Sequence, residues 1–438
     1  MDNEYTKVDF TTDMKKEYQI LAPDIFPMHM KLLKKVFTLY GYNFTVLHYQ
    51  GKQVIDTGLK YIHNDMCYPA ICSIGQQLYA LTCGDFDPHK VALIQFQTGG
   101  GCRASNYIKL LRKALKNMGM EYVPVISLSF SGMEKYSGFK LTLPMLYKGL
   151  MSIVYGDMLM LLKNQVKPYE INPGSADALV DKWVDILTDQ FGRNKGLFNR
   201  GMKKNLNEIV KDFHNIPVQK TPKVKVGIVG EIYVKYSPFG NNNLEEFLAS
   251  QDCEVMVPGV LGFVQYTFNT KIEDHTLYGS SLLSLIIGKL SERMAGGIEK
   301  LMTDSLKNYP EFNAPASFNE LKELADTVIH RGVKMGEGWL LPAEMVELIR
   351  HGYNNIICAQ PFGCLPNHIV GKGVIRTLKE LYPYSNICPI DYDAGATVVN
   401  QENSAAAIQP ARCPAPTWKP QAVRSRSSLS TAAVSSRA

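Results

Sequence analysis

The chain lacks a Cys-x-x-Cys pair, a P-loop, an uninterrupted apolar run of membrane-spanning length and a secretory pattern at its N-terminus. Without a Cys-x-x-Cys pair, local spacing alone defines no metal site. Without GxxxxGK[ST], the chain has no sequence basis for binding nucleotide phosphates in that manner. The opening MDNEYTKVDFTTDMKKE is polar and mixed in charge, so secretion is not expected and the cytoplasm is the expected compartment. Acidic residues are missing from 404–438, where Arg412, Lys419, Arg424, Arg426 and Arg437 contribute +5 of the formal +6 and leave +1 for the body. A basic face for nucleic acid is therefore not expected.

What is present is ordinary for a globular protein of two or three domains: 438 residues, 45% hydrophobic and 20% charged. The most apolar stretch, Leu143 to Leu162, contains Lys148, Gly149, Gly156 and Asp157. Mid-membrane charge is costly, so an interior helix is expected there rather than a membrane span. The nine cysteines are odd in number and scattered, which fits reduced thiols or metal ligands better than a disulfide scaffold.

Alternation of short apolar runs with helical periodicity predicts an α/β fold with parallel sheets. Strands are expected at 18–22, 44–47, 91–96 and 122–126, with helices at 28–39, 69–81 and 104–118 between them. From about 140 the pattern turns helical. A second α/β unit is expected to open with KVKVGIVGEIYV (223–234) and continue through CEVMVPG (253–259), a helical block from about Gly279 to Tyr309, NNIICA (354–359) and ICPIDYD (387–393). The expected division is an N-terminal extension (1–16), a first α/β domain (17–139), a helical segment (140–220), a second α/β domain (221–403) and a disordered or non-native tail (404–438).

Three cysteines stand where a strand or loop hands over to a helix: Cys67 in NDMCYPAI, Cys102 in QTGGGCRASNY and Cys364 in QPFGCLPNH. A helix N-terminus favours the thiolate, the form that binds metal. The loops after VALIQF and NNIICA would deliver Cys102 and Cys364 to the carboxyl ends of two sheets, where open α/β folds collect ligands. Cys72, Cys83, Cys253, Cys358, Cys388 and Cys413 lack this placement and read as small buried hydrophobes or bystanders. Gly99, Gly100 and Gly101 admit two readings, a phosphate cradle or a close backbone approach to a bulky cluster.

NDMCYPA, GGGCRASNY, VGEIYVKYSPFGNNNLEEFL (229–248), GEGWLL (336–341) and QPFGCLPNHIVGKG (360–373) together resemble the 2-hydroxyacyl-CoA dehydratase superfamily. The nearest likeness is to the dehydratase-like region of large CoA-substrate-specific enzyme activase proteins, over about residues 17–403. The resemblance implies two flavodoxin-like open-sheet domains and a [4Fe–4S] cluster held by Cys67, Cys102 and Cys364, with one iron free of cysteine. It also implies one-electron activation by a separate ATP-hydrolysing protein carrying its own iron–sulfur cluster. The substrate would be an acyl-CoA, dehydrated or reduced through a ketyl radical. A homologous subunit or a second copy is a further expected partner; nucleic acid and membrane are not.

Other groups are candidates within that frame. His368, four residues after Cys364, is a candidate donor to cluster or substrate, with a helix-surface or capping role as its alternative. Glu337 and Glu231 are candidate proton-transfer groups, against a structural hydrogen-bonding role. Arg103 and Asn106 are candidates for contact with a CoA phosphate or the cluster edge, against internal salt bridging. Tyr233, Tyr236 and Asn241 to Asn243 are expected in a polar loop after a strand. Competing functions are a scaffold that binds an activator or acyl-CoA without catalysis, a zinc-stabilised binding protein, and a double-cubane reductase that would recruit Cys72 or Cys358.

Overall fold

Burial of period two marks the first sheet: in β1 (Gln19–Pro23), which follows the short α1 (Met14–Glu17), Ile20 and Ala22 enter one core and Leu21 the other. The computed structural model describes residues 7–97, 101–128 and 134–407. After β1 come α2 (Pro27–Leu39), β2 (Asn43–Leu47), α3 (Lys52–Tyr61), α4 (Tyr68–Thr82), β3 (Val91–Phe96), α5 (Tyr107–Asn117) and β4 (Val125–Leu128). The four strands are parallel in the order β2-β1-β3-β4. A middle layer follows, made of α6 (Leu143–Val166), α7 (Ser175–Gly192) and α8 (Asn199–His214).

The second half repeats the plan. It runs through β5 (Val224–Gly230), α9 (Ile232–Tyr236), α10 (Leu244–Ser250), β6 (Cys253–Met256), α11 (Val260–Tyr278), α12 (Leu282–Leu306), α13 (Phe318–Asp326) and α14 (Leu340–Arg350). Then come β7 (Asn355–Pro361), a wide π-type turn at Asn367–Lys372, α15 (Ile375–Leu381), β8 (Asn386–Tyr392) and α16 (Val398–Ala406). Its parallel sheet has the order β6-β5-β7-β8, the same strand permutation as the first. Both are flavodoxin-like in order, so each has a switch point between its first and third strands.

Three differences from the sequence reading have local causes. The strand expected through Val234 ends at Gly230, whose φ of +143° and closeness to the Ala359 carbonyl admit no side chain, and the chain turns at once into α9. The helical block expected from Gly279 begins at Val260, and Gly279 is the left-handed break between α11 and α12. The tail expected to lose order after Asn403 keeps helix α16 to Ala406; residues 408–438, including Cys413, lie outside the described residues.

Helix α6 is apolar on all sides because it is buried on all sides, with 72% of its most apolar window inside the molecule. It joins the two halves. One continuous core takes Ile20, Phe44 and Ile94 from the first sheet, Met151, Tyr155 and Leu162 from α6, and Val229, Ile356 and Ile387 from the second sheet. Within it Asp157 is 3% exposed. Its Oδ1 accepts from His29 Nε2 on α2 and from the Val260 N–H, and its Oδ2 accepts from the Leu261 N–H, all at 2.8 Å. One carboxylate therefore caps α11, whose start lacks a capping side chain of its own, and ties it to the first domain.

Removing that carboxylate leaves a buried histidine and two helix-start N–H groups without their acceptor. Asp157→Ala is expected to lower the unfolding free energy by roughly 3–5 kcal/mol, read by urea denaturation. A loss below about 1 kcal/mol, the size of a surface ion pair, would show that the clamp does not hold the halves together.

Candidate metal centre

The loops carrying Cys67, Cys102 and Cys364 approach one another on the carboxyl side of the two sheets. Cys67 is the residue before α4, with Pro69 in the first turn. Cys102 precedes a single tight turn, Arg103–Asn106, that leads into α5. Cys364 follows β7 and precedes the π-type turn, a distortion that recurs at functional sites. The Arg103 guanidinium donates to the Asp65 carbonyl, and Gly363 lies against both, so its missing side chain lets the third loop approach the first two. Cys67 and Cys364 are 5% and 6% exposed; Cys102 is half-buried.

Two carboxyl groups complete the cleft. Glu231 leaves the end of β5, and its side chain accepts from the Val234 N–H at 3.0 Å, capping α9. Glu337 is set by the left-handed glycines on either side, Gly336 (φ +62°) and Gly338 (φ +46°). Its Oε1 accepts from the Ile232 N–H at 3.2 Å and its Oε2 from Asn367 Nδ2 at 3.0 Å. Asn367, fully buried, also directs Nδ2 at Cys364 Sγ at 3.3 Å, while its Oδ1 has no hydrogen-bond partner. Behind them Lys235, on α9, bonds both oxygens of Glu344, on α14, at 3.1 Å in an almost wholly buried ion pair. That pair holds together the two segments that present the carboxyl groups.

Burial decides the protonation of this site. It raises the pKa of Cys67 despite the Tyr107 hydroxyl 2.9 Å from Sγ, and it raises that of Cys364 as well. Cys102 is pushed up to about 12, chiefly by burial, with Glu337 and Glu231 adding to it. The sequence expectation that helix N-termini would favour thiolates is therefore reversed in the metal-free chain: desolvation outweighs the helix-start N–H groups. Burial and the neighbouring Glu337 push Glu231 up to about 8, and burial raises Glu337 as well. The charge of Glu231 raises all three thiols, which places it as their common neighbour.

The other sequence candidates fall in different places. His368 bonds the Cys364 carbonyl through Nδ1 at 2.8 Å, and its Nε2 is 3.8 Å from Asp391, so it braces the Cys364 turn. Asn106 is exposed. Tyr233 and Tyr236 are buried in α9, not displayed on a loop. Asn241 is buried too, bonding the Val234 carbonyl and the Leu244 N–H, which makes it a structural brace. Gly101 approaches Met335 closely; Gly99 and Gly100, the rest of the candidate phosphate cradle, lie outside the described residues. Tyr107 and Asn367 were not singled out from sequence, although Asn367 follows Cys364 at the helical spacing of three.

Three thiols, two of them buried and one half-buried, are soft donors of the kind a transition metal or an iron–sulfur cluster takes. Among the described residues, no group of three His, Cys, Asp or Glu is gathered closely enough to clasp a single metal ion. Beside the thiols, Gly363 allows a close approach of the loops, and the fully buried Asn367 Oδ1 next to Cys364 has no hydrogen-bond partner. No protein-family model matches the chain, and no curated protein sequence matches it.

The raised carboxyl at Glu231 sets a sign for pH dependence. As pH rises from the ordinary carboxyl range toward about 8, the unfolded chain releases this proton before the folded one does, so stability falls across that window. In the metal-free chain, Glu231→Gln should flatten the fall in urea-derived stability between pH 5 and pH 8 relative to wild type; comparing the two cancels other groups, including Glu347, which is also raised to about 8. Equal slopes would mean that Glu231 ionises freely.

Proposed function

We propose that this chain is a [4Fe–4S]-bearing, 2-hydroxyacyl-CoA dehydratase-like enzyme that works after one-electron reduction by a separate ATP-hydrolysing activator with its own cluster. The observation that carries the reading is the approach of Cys67, Cys102 and Cys364 to one another on the carboxyl side of two like sheets, around a common carboxyl neighbour. Cys67, Cys102 and Cys364 would hold the cluster. When bound, the cluster supplies low-potential electron transfer and a Lewis-acidic iron for a substrate oxygen.

The chain's own residues supply the rest. The buried Lys235–Glu344 pair would fix Glu231 opposite Glu337, and burial keeps both carboxyl groups from water. A carboxyl whose pKa stands near 8 can give or take a proton at neutral pH, which suits Glu231 to a hydroxyl leaving group or an acyl α-carbon. Asn367 orients Glu337 and the Cys364 sulfur together. Exposed Phe362, Leu365 and Ile369 beside Cys364 offer an apolar mouth for an acyl chain. The described cysteines are all free thiols, in keeping with a reducing, cytoplasmic setting.

Anaerobic purification followed by iron, sulfide and zinc analysis tests the proposal. About four irons and four sulfides per chain are expected, with broad visible absorption that is lost in Cys364→Ser and weakened in Cys67→Ser and Cys102→Ser. Stoichiometric zinc, or a folded protein that cannot be reconstituted, would overturn the redox reading and favour a non-catalytic scaffold.

A further inference from the structure

Between α6 and the helices of the second half lies a cavity of about 80 Å³. Gly262 and Gln265 line it from α11, Glu299 from α12, and Glu344 and Glu347 from α14. Its lining includes neither the three thiols nor Glu231 and Glu337. A side chain added at Gly262, in the helical backbone of α11, would meet no atom within 4 Å. An apolar cavity of about twice this volume holds benzene, so this one has room for roughly three or four heavy atoms.

The lining selects the occupant. Most of it is apolar, with Met160, Leu161 and Met302 among its side chains, yet two carboxyl groups enter it without a cation. Glu347, 7% exposed, accepts from the Ala316 N–H at 2.6 Å, and Glu299 accepts from the Phe318 N–H at 2.9 Å. Among the described residues neither has an ion pair, unlike Glu344, which Lys235 holds, and Asp157, which His29 holds. Burial pushes Glu347 up to about 8, with Glu344, Glu320 and Glu299 adding to it, and burial raises Glu299 as well. His351, also in the lining, is shifted down by burial and brings no fixed charge at neutral pH. A metal ion does not answer this lack, because no three His, Cys, Asp or Glu side chains among the described residues are gathered closely enough to clasp one. An ammonium group does, since its three diverging N–H bonds reach separate acceptors.

Gln265 adds a second requirement. It is 1% exposed and turns toward Glu299, yet its Nε2 has no acceptor in hydrogen-bond geometry. A buried donor left unpaired is costly, so the occupant should carry an oxygen that accepts from it. We propose that the cavity binds a short primary amine bearing a hydroxyl, of the ethanolamine type, with Glu347 and Glu299 taking the ammonium and Gln265 Nε2 donating to the hydroxyl oxygen. The site is separate from the thiol cleft and stands whatever the thiols bind.

Calorimetric titration of the full chain with ethanolamine near neutral pH tests it, with the melting temperature as a second readout. Saturable binding and a rise in melting temperature are expected with ethanolamine and not with sodium chloride at the same ionic strength. Ethylamine, which lacks the oxygen, should bind roughly three- to tenfold more weakly, the range for one hydrogen bond. Glu347→Gln, which keeps an acceptor for the Ala316 N–H, should weaken ethanolamine binding by at least about tenfold, as loss of a charged partner does. Gly262→Leu should fill the space and abolish binding with unchanged circular dichroism, whether or not the glutamine variant folds. No saturable binding, an equal response to sodium chloride, equal affinity for ethylamine, or binding that survives both substitutions would overturn the proposal.

Discussion

The structure depends on one buried carboxylate. Asp157 lies on a helix apolar enough to vanish into the interior, and it accepts three hydrogen bonds from elements of both halves: His29 beside the first sheet, and the opening N–H groups of α11 beside the second. A charge at that depth is tolerable only when its donors are fixed. The donors in turn tie α2 of the first half and α11 of the second to the same carboxylate.

Within the cleft the same physics works in the opposite direction. Among the described residues, Glu231, Glu337 and the three thiols have no ion pair like that of Lys235 with Glu344, and burial drives them toward their neutral forms. Burial thus holds the acids and thiols of this site toward their protonated forms. The glycines at 230, 336 and 338 mark where the backbone must turn sharply to make that possible.

Much of the fold was legible. VALIQF and NNIICA are apolar without interruption because their strands are buried on both faces, and the repeated strand–helix alternation predicted parallel sheets. The three cysteines were legible as residues that open helical turns. Their protonation was not, since a helix start is a local feature whereas desolvation is set by side chains that folding brings in from distant parts of the chain. Helix α9 was misread as strand because IYV has strong strand character, and Gly230 ends pairing before that propensity can act.

The sequence by itself determined the two parallel sheets, the helical layer between them and which thiols lead into helices, because periodicity and capping are read within a dozen residues. Only the tertiary structure decided that Glu231 and Glu337 face each other, that Asn367 bridges Glu337 to Cys364, that His368 turns to its own backbone, and that one face of α12 is left without cover. Those are contacts between residues up to about a hundred positions apart, or the lack of them. They are fixed by how packed layers meet, which no local pattern encodes.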